Sequence, residues 1–339
     1  MSASKFVGIG NPLLDMIVYV KDEELLNKYK LEKDNAILAD ETHMPIYEEI
    51  QNNPEVTYVS GGAGLNTMKM IQWLSEEKGI VSYYGSIGDD ITGKKLVEDC
   101  KTLGLDTQMI VDEHLKTGKC AVIVHGINRS MVTHLGAAIS FNNERITEEM
   151  WTKIMAGRIF YMCAYFVNTS METTLRIAKM ASEDDGKLFA FNLSAPFLST
   201  FFSDRINSVL PYVDLLFGNA DEISAYAKAN KIEGDIKAAA RYLQKFPKEN
   251  VNKHRMVVIT NGAKSILLIS NEGEFQFDVE KIANEEIVDS NGAGDAFAGG
   301  FLKEYVETKD INASIKTATR AAKYILRQSG FQLKDKSNF

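Results

Sequence analysis

The sequence predicts an α/β protein: a central, mostly parallel sheet flanked by helices on both faces, with a small β-rich sheet attached. Three observations predict it. From residue 137 onward, helical and strand-like segments alternate in the rhythm of βα units. Two stretches, 16–60 and 119–136, interrupt that rhythm with short strand-like pieces. And 339 residues are enough for one large core with a small second one.

Taken in order, "KFVGIG" (5–10) reads as a strand running into a turn. "MIVYV", "NAILA" and "VTYVS" follow as short strands, with a helical insert at "DEELLNKY". From Leu65 to Ser75, "LNTMKMIQWLS", apolar residues recur at helical spacing. "IVSYYGSIG" is a strand and "GKKLVEDCKTLG" a helix. "KCAVIVHGINRSMVTHLG" (119–136) reads as a hairpin, two alternating strands around "GINRS". The regular part then runs through helix "TEEMWTKIM", strand "RIFYMCA", helix "METTLRIAKMAS", strand "KLFAFNLS", helix "DRINSVLP", strand "VDLLFG", helix "ADEISAYAKA" and another after it, and strand "RMVVIT". Two long helices follow.

Composition narrows the function. A net charge of -8 and only 38 basic residues give a surface that repels nucleic-acid backbones and anionic lipid, so neither is an expected partner. An anionic small molecule remains possible in a local positive pocket. Cys100, Cys120 and Cys163 are odd in number, widely spaced and form no CxxC, which fits a reducing compartment without disulfides or a zinc site. The N-terminal "MSASKFVGIGNPLLD" has no apolar signal-peptide core, and no apolar run approaches the ~20 residues of a membrane helix. The expectation is a cytoplasmic protein, with a nuclear pool left open.

Two motif matches fail on chemistry. "GIGNPL" (8–13) has Leu13 where a dinucleotide fingerprint needs its third glycine, and Pro12 removes a donor from the turn. "GDDITGKK" (88–95) has Lys95 where a P-loop needs Ser or Thr, and Asp89 and Asp90 would repel phosphate. The five histidines form no HExxH.

"IVDSNGAGDAFAGGF" (287–301) carries more. A strand-like run gives way to small residues and then a helix. A helix N-terminus offers unpaired amides and the positive end of the dipole, and Gly292, Ala293 and Gly294 let an anion approach those amides closely. This suits a phosphate or a phosphoryl transition state. Asp295 in the same turn would not help to bind phosphate. It fits a different task, taking the proton from a nucleophile that attacks the phosphate, with the helix dipole expected to keep its pKa low. The plain alternative is an early-helix acid favoured by the dipole.

"DSNGAGDAFAGGF" resembles the C-terminal signature of the ribokinase (PfkB) family of sugar and nucleoside kinases. "GNPLLD", "SGGAGLN" (60–66), "NRS" (128–130), "NLSAPF" (192–197) and "FGNADE" (217–222) resemble, in order along nearly the whole chain, the adenosine kinases within it. The resemblance implies a ribokinase-like fold, ATP as donor, Mg2+, and the 5'-hydroxyl of adenosine as acceptor. It implies a large α/β nucleotide-binding domain of 1–15, 61–118 and 137–339, and a lid of 16–60 and 119–136. It implies Asp295 as base and Gly292, Ala293 and Gly294 as the anion hole. Asn11, Asp15, Gly62 and Asn66 would hold the ribose, and Arg129 would reach the transferred phosphoryl group. Leu13, Leu38, Cys120, Phe166 and Phe197 would wall the purine. Asn219 and Glu222 would reach Mg2+ through water, and Thr260, Gly262 and Asn291 would serve ATP. The adenosine kinases also suggest a monomer.

Plain alternatives stand beside these roles. Asn219 and Glu222, three apart at a strand-to-helix junction, form a near capping box. Arg129 is also a hairpin-tip residue, the apolar set is also core, and Asn11-Pro12 is also a turn opener. Gly61-Gly62 is either a hinge for lid closure or a plain helix entry. A sugar kinase of the same family and a non-catalytic nucleoside-binding protein are the rival functions.

Overall fold

The computed structural model describes residues 5–33, 35–126, 128–334, 336 and 339. Ile127 of the expected hairpin tip, and residues 1–4, 34, 335, 337 and 338 of the expected domains, lie outside them. The chain divides into two compact units. One reaches to Gly10 and resumes at Gly79–Tyr84 and Phe141–Lys281; the other takes Asn11–Lys78, Gly85–Ser140 and Ile282–Phe339.

The first unit is a sheet with parallel strands at its heart. Phe6–Ile9 lies between Ile159–Cys163 and the leading residues of Val81–Gly88, with Phe6 opposite both Val81 and Ile159. Leu188–Asn192, Leu215–Asn219 and Met256–Thr260 continue the sheet in parallel. Ile266–Ser270 and Gly273–Phe277 extend it antiparallel. Residues of both parities are buried along FVGI and IFYMC, so the sheet is covered on both faces. That is why these strands read as unbroken apolar runs and not as alternations. Connecting helices include Glu148–Ala156 and Met171–Ser182, capped by Thr147 and Ser170.

The second unit holds a five-stranded sheet in the order Ala36–Leu38, Asn128–Gly136, Thr117–His125, Leu13–Val20, Thr57–Gly61. Here the strands do alternate. Met16, Val18, Ala121, Ile123 and Val132 point to one face and pack under Leu26, Ile46, Tyr47 and Ile50. Those residues belong to helices Glu24–Lys28 and Pro45–Gln51. Leu13, Ile17, Val59, Cys120, Val122 and Val124 point to the other face. The same unit contains helices Ala63–Leu74, Ala293–Thr308 and Ile311–Leu326, with Met70, Trp73, Ala296, Ala321, Tyr324 and Phe331 forming their common core.

The false P-loop has a structural explanation. Asp90 caps helix Ile91–Leu103 by accepting from the Gly93 amide at 2.8 Å, and it also accepts from the Thr117 amide and hydroxyl at 2.8 and 2.7 Å. The Asp90 carboxylate takes donors of the turn for itself.

Candidate active site

The helix that starts at Ala293 is entered through Gly292 in the left-handed conformation, at φ 75°, with no side-chain cap. A Cβ at Gly292 would lie 2.4 Å from the ring of Phe331, so only glycine fits. At Gly294 the opposite holds: a Cβ would meet nothing within 4 Å. Gly294 is therefore not demanded by packing, which leaves its open side available to an anion approaching the uncapped helix end.

Asp295 falls in the first turn of this helix. Its Oδ2 accepts a hydrogen bond from Nδ2 of Asn66 at 3.1 Å. Burial pushes its pKa up to about 7, against the opposing effects of the Asn66 hydrogen bond and the positive charge of Arg129. This corrects the expectation of a low pKa: lost hydration outweighs whatever the helix dipole contributes. A carboxylate poised near neutrality is a better proton acceptor than one held low.

Asp15 is buried in strand Leu13–Val20 of the small sheet, and its pKa is also pushed to about 7, by burial first, with Lys69 opposing and Asp295 and Asp289 adding to the rise. Gly61, paired with Leu13 on the neighbouring strand, lies on the same face. A Cβ on Gly61 would lie 2.3 Å from a carboxylate oxygen of Asp15. Gly62 has φ 100°, and a Cβ there would lie 2.3 Å from the backbone oxygen of Asn11. The glycine pair thus has a static reason: it lets Asp15 and the Asn11 backbone close in on the strand end.

Two further asparagines carry unmet hydrogen-bonding capacity. Among the described residues, both Nδ2 and Oδ1 of buried Asn11, and Oδ1 of buried Asn66, have no partner. Buried amides left so are costly, about 1–3 kcal/mol for each group, and native proteins leave few of them. Their presence beside Asp15 and Asp295 points to a polar molecule that supplies the missing partners.

Sheet register places the other residues. Leu38 pairs with Thr133, Thr133 with Cys120, Cys120 with Asp15 and Asp15 with Val59, forming one row across five strands. Paired residues share a face, so Leu38, Cys120 and Asp15 line the face opposite the helix-covered one. Leu13, two residues from Asp15, joins them. Thr133 belongs to the same row and donates to Sγ of Cys120 at 3.4 Å. Burial pushes the Cys120 thiol well above its ordinary pKa, so it is a wall and not a nucleophile. Arg129 pairs with Val124 on this face and contacts the Ser290 hydroxyl. Asn291 donates its amide to Asp289 at 2.8 Å.

In the first unit, Asn219 and Thr260 end neighbouring parallel strands in register, at the carboxyl edge where such sheets bind ligands. Asn219 and Glu222 form a complete capping box: Asn219 Oδ1 accepts from the Glu222 amide at 2.8 Å, and Glu222 accepts from the Asn219 amide at 2.9 Å. Gly262 is left-handed at φ 55°. Phe166 is wholly buried with Phe141 at 5.9 Å, and Phe197 is half-buried near Tyr165 at 6.1 Å. Among the described residues, no group of three or more His, Cys, Asp or Glu side chains is arranged to hold a metal.

The second unit thus holds a glycine turn at an uncapped helix start, a carboxylate titrating near neutrality and a second buried carboxylate near a glycine-rich strand end. A family model described as pfkB family carbohydrate kinase matches residues 32–337. The chain belongs to that family. A solved structure, adenosine kinase from Schistosoma mansoni in complex with 2-fluoroadenosine, is 41% identical, with TM-score 0.95 and complete coverage of both chains. Adenosine kinase from Anopheles gambiae, in complex with P1,P4-di(adenosine-5) tetraphosphate, is 36% identical, with TM-score 0.93 and 97% coverage of both chains. Adenosine kinase of Schizophyllum commune is 39% identical over 98% of each chain. The fold is the ribokinase-like α/β fold of this family.

Sequence reasoning missed Lys69, Thr133, Ser290 and Phe331. Lys69 did leave a signal: it is the lone charge in the mostly apolar "MKMIQWL", on a helix buried nearly all round. Thr133 and Phe331 left none, because strand register and a C-terminal tail folding back beneath a turn are not written in local pattern.

Proposed function

We propose that this chain transfers the terminal phosphoryl group of ATP to the 5'-hydroxyl of adenosine, giving AMP and ADP. The single observation that carries the mechanism is the Asn66–Asp295 hydrogen bond at the uncapped N-terminus of helix Ala293–Thr308. It joins the helix that follows the Gly61-Gly62 strand end to the helix that bears the anion hole. Asp15, Asn11 and Asn66 hold the ribose: a carboxylate accepts from both hydroxyls of a cis-diol, and an amide both donates and accepts. Leu13, Leu38 and Cys120 on the sheet face, with Phe166 and Phe197, wall the purine.

Asp295 accepts the proton of the 5'-hydroxyl as that oxygen attacks phosphorus, and the bond to the ADP leaving oxygen breaks. Amides at Gly292, Ala293 and Gly294 steady the charge on the migrating group, and the Arg129 guanidinium adds to this. Asn219, Glu222, Thr260, Gly262 and Asn291 serve the ATP side. Asn219 and Glu222 spend their side chains on the capping box. They fit Mg2+ only as partners of its water shell, which suits an ion that keeps several waters. When bound, Mg2+ neutralises phosphate charge. Segments 16–60 and 119–136 act as the lid over the domain formed by 1–15, 61–118 and 137–339. The acidic surface and three free cysteines favour a cytoplasmic protein without nucleic-acid or membrane partners, and the resemblance to the adenosine kinases suggests a monomer. Among the described residues, no helix is long and apolar enough to cross a membrane.

A panel of adenosine, other nucleosides and free ribose, each with ATP and Mg2+ and followed by 31P NMR, tests the reading. The expected result is 5'-AMP from adenosine. Phosphorylation of ribose in preference to adenosine would overturn the acceptor assignment.

A further inference from the structure

Lys69 is buried, on helix Ala63–Leu74, three residues beyond Asn66. Its Nζ donates to the Ser60 carbonyl at 2.7 Å and reaches the Phe331 carbonyl at 3.5 Å, and it lies 5.4 Å from the centre of the Phe331 ring. Ser60 precedes the glycine pair that admits Asp15. The Phe331 ring is the surface against which Gly292 closes, at the distance where a Cβ would collide. A buried ammonium is costly unless several acceptors surround it. Here the acceptors are two backbone carbonyls and an aromatic face, taken from the two segments whose spacing the reaction depends on.

We infer that Lys69 is a positioning residue, an ammonium clamp that ties the Asp15–Gly62 ribose end to the Phe331-backed Gly292 turn. The inference rests on the phosphoryl-transfer reading above. Lys69 never touches the reacting atoms. It holds the strand end and the anion hole in register, and it is the positive charge that favours ionised Asp15. Burial lowers the Lys69 pKa from its ordinary value, Lys95 adds to this, and Cys100, Asp15 and Asp99 oppose it by favouring the charged form. The charged and titratable groups facing Asp15 are Lys69, Asp295, Asp289 and Cys120. Lys69 is the only cation among these four.

The test uses the full-length protein and two variants. Lys69→Met removes the charge and both donor contacts while keeping the bulk. Phe331→Leu removes the ring but leaves the charge. Each is measured for kcat and KM with adenosine across pH, and the Asp15 midpoint is followed by carboxyl 13C NMR, assigned with Asp15→Asn. Lys69→Met is expected to lower kcat/KM roughly 10- to 100-fold, the scale of a small misplacement of reacting groups. It is also expected to move the Asp15 midpoint upward, because the one opposing charge is gone. Phe331→Leu is expected to lower kcat and leave that midpoint in place. A merely structural lysine would lower thermal stability without moving the midpoint. An unmoved midpoint, or kcat/KM within twofold of wild type in Lys69→Met, overturns the inference. If the wild type forms no nucleoside-dependent ADP, the kinase reading fails, and the NMR midpoint still decides whether Lys69 governs Asp15.

Discussion

Nδ2 of Asn66 donates to Oδ2 of Asp295 at 3.1 Å, across 229 residues of sequence. One residue lies in the first turn of helix Ala63–Leu74, the other in the first turn of helix Ala293–Thr308. The bond favours the ionised carboxylate while burial opposes it, and the balance leaves Asp295 titrating at about 7. Activity is therefore expected to rise with pH through neutrality and level off above it. Asn66→Ala removes the opposing hydrogen bond, so the acidic limb of kcat/KM should move to higher pH, with a loss of roughly 10- to 100-fold at neutral pH. A pH profile of both proteins checks this. An unmoved limb would separate Asn66 from the titration of the base.

Arg129 sits on the Asp15 face of the small sheet and contacts Ser290 in the turn before helix Ala293–Thr308. Its positive charge also lowers the pKa of Asp295. Arg129→Ala should lower kcat about 10²–10³-fold, as expected for a lost donor to developing charge, and change the adenosine KM much less. Steady-state kinetics with adenosine varied will show it. A pure KM effect would assign Arg129 to substrate binding instead.

Gly294 and Gly62 should respond in opposite ways to alanine. Nothing lies within 4 Å of a Cβ at Gly294, which is in the helix. Gly294→Ala should leave the melting temperature unchanged or raise it slightly, since alanine is favoured over glycine in a helix by about 0.5–1 kcal/mol, yet turnover should fall because the methyl group obstructs the anion. Gly62→Ala meets the Asn11 backbone at a left-handed φ and should cost stability and adenosine affinity together. Thermal denaturation beside kinetics separates the two outcomes. Normal turnover in Gly294→Ala would argue against the anion hole.

Asp15 and Asp295 both have folded-state pKa values raised from 3.8 to about 7. For raised acids the native state binds protons that the unfolded chain has already lost. The corresponding stability is fully present below about pH 4 and is lost as pH rises to about 7. Between those limits the ligand-free protein should lose stability through these two groups as pH rises, and Asp15→Asn should flatten that slope. Denaturant titrations at several pH values measure it. A slope identical in wild type and Asp15→Asn would show that Asp15 titrates normally.

Much of the fold was legible because its cause is local. The parallel strands announce themselves as apolar runs, as in "RIFYMCA", since burial on both faces demands it. The small sheet announces itself by alternation. The start of helix Ala293–Thr308 was legible because a run of small residues with glycines marks a turn into a helix. What could not be read is what distant segments do to one another. The raised pKa of Asp295 comes from the packing around it. Asp15, Cys120, Thr133 and Leu38 share one row only because the strands pair in a register that no single strand encodes. Helix Pro45–Gln51 escaped notice because it is only seven residues long, too short for its buried Ile46, Tyr47 and Ile50 to show a helical repeat.

Nucleoside-dependent ADP formation by wild type and Asp295→Asn, with adenosine affinity measured in parallel by calorimetry, bears most directly on the central claim. The account predicts that wild type forms ADP only when adenosine is present, and that Asp295→Asn loses about 10²–10⁴-fold in turnover while still binding adenosine. Turnover within a few-fold of wild type in Asp295→Asn would contradict the assignment of Asp295 as the base.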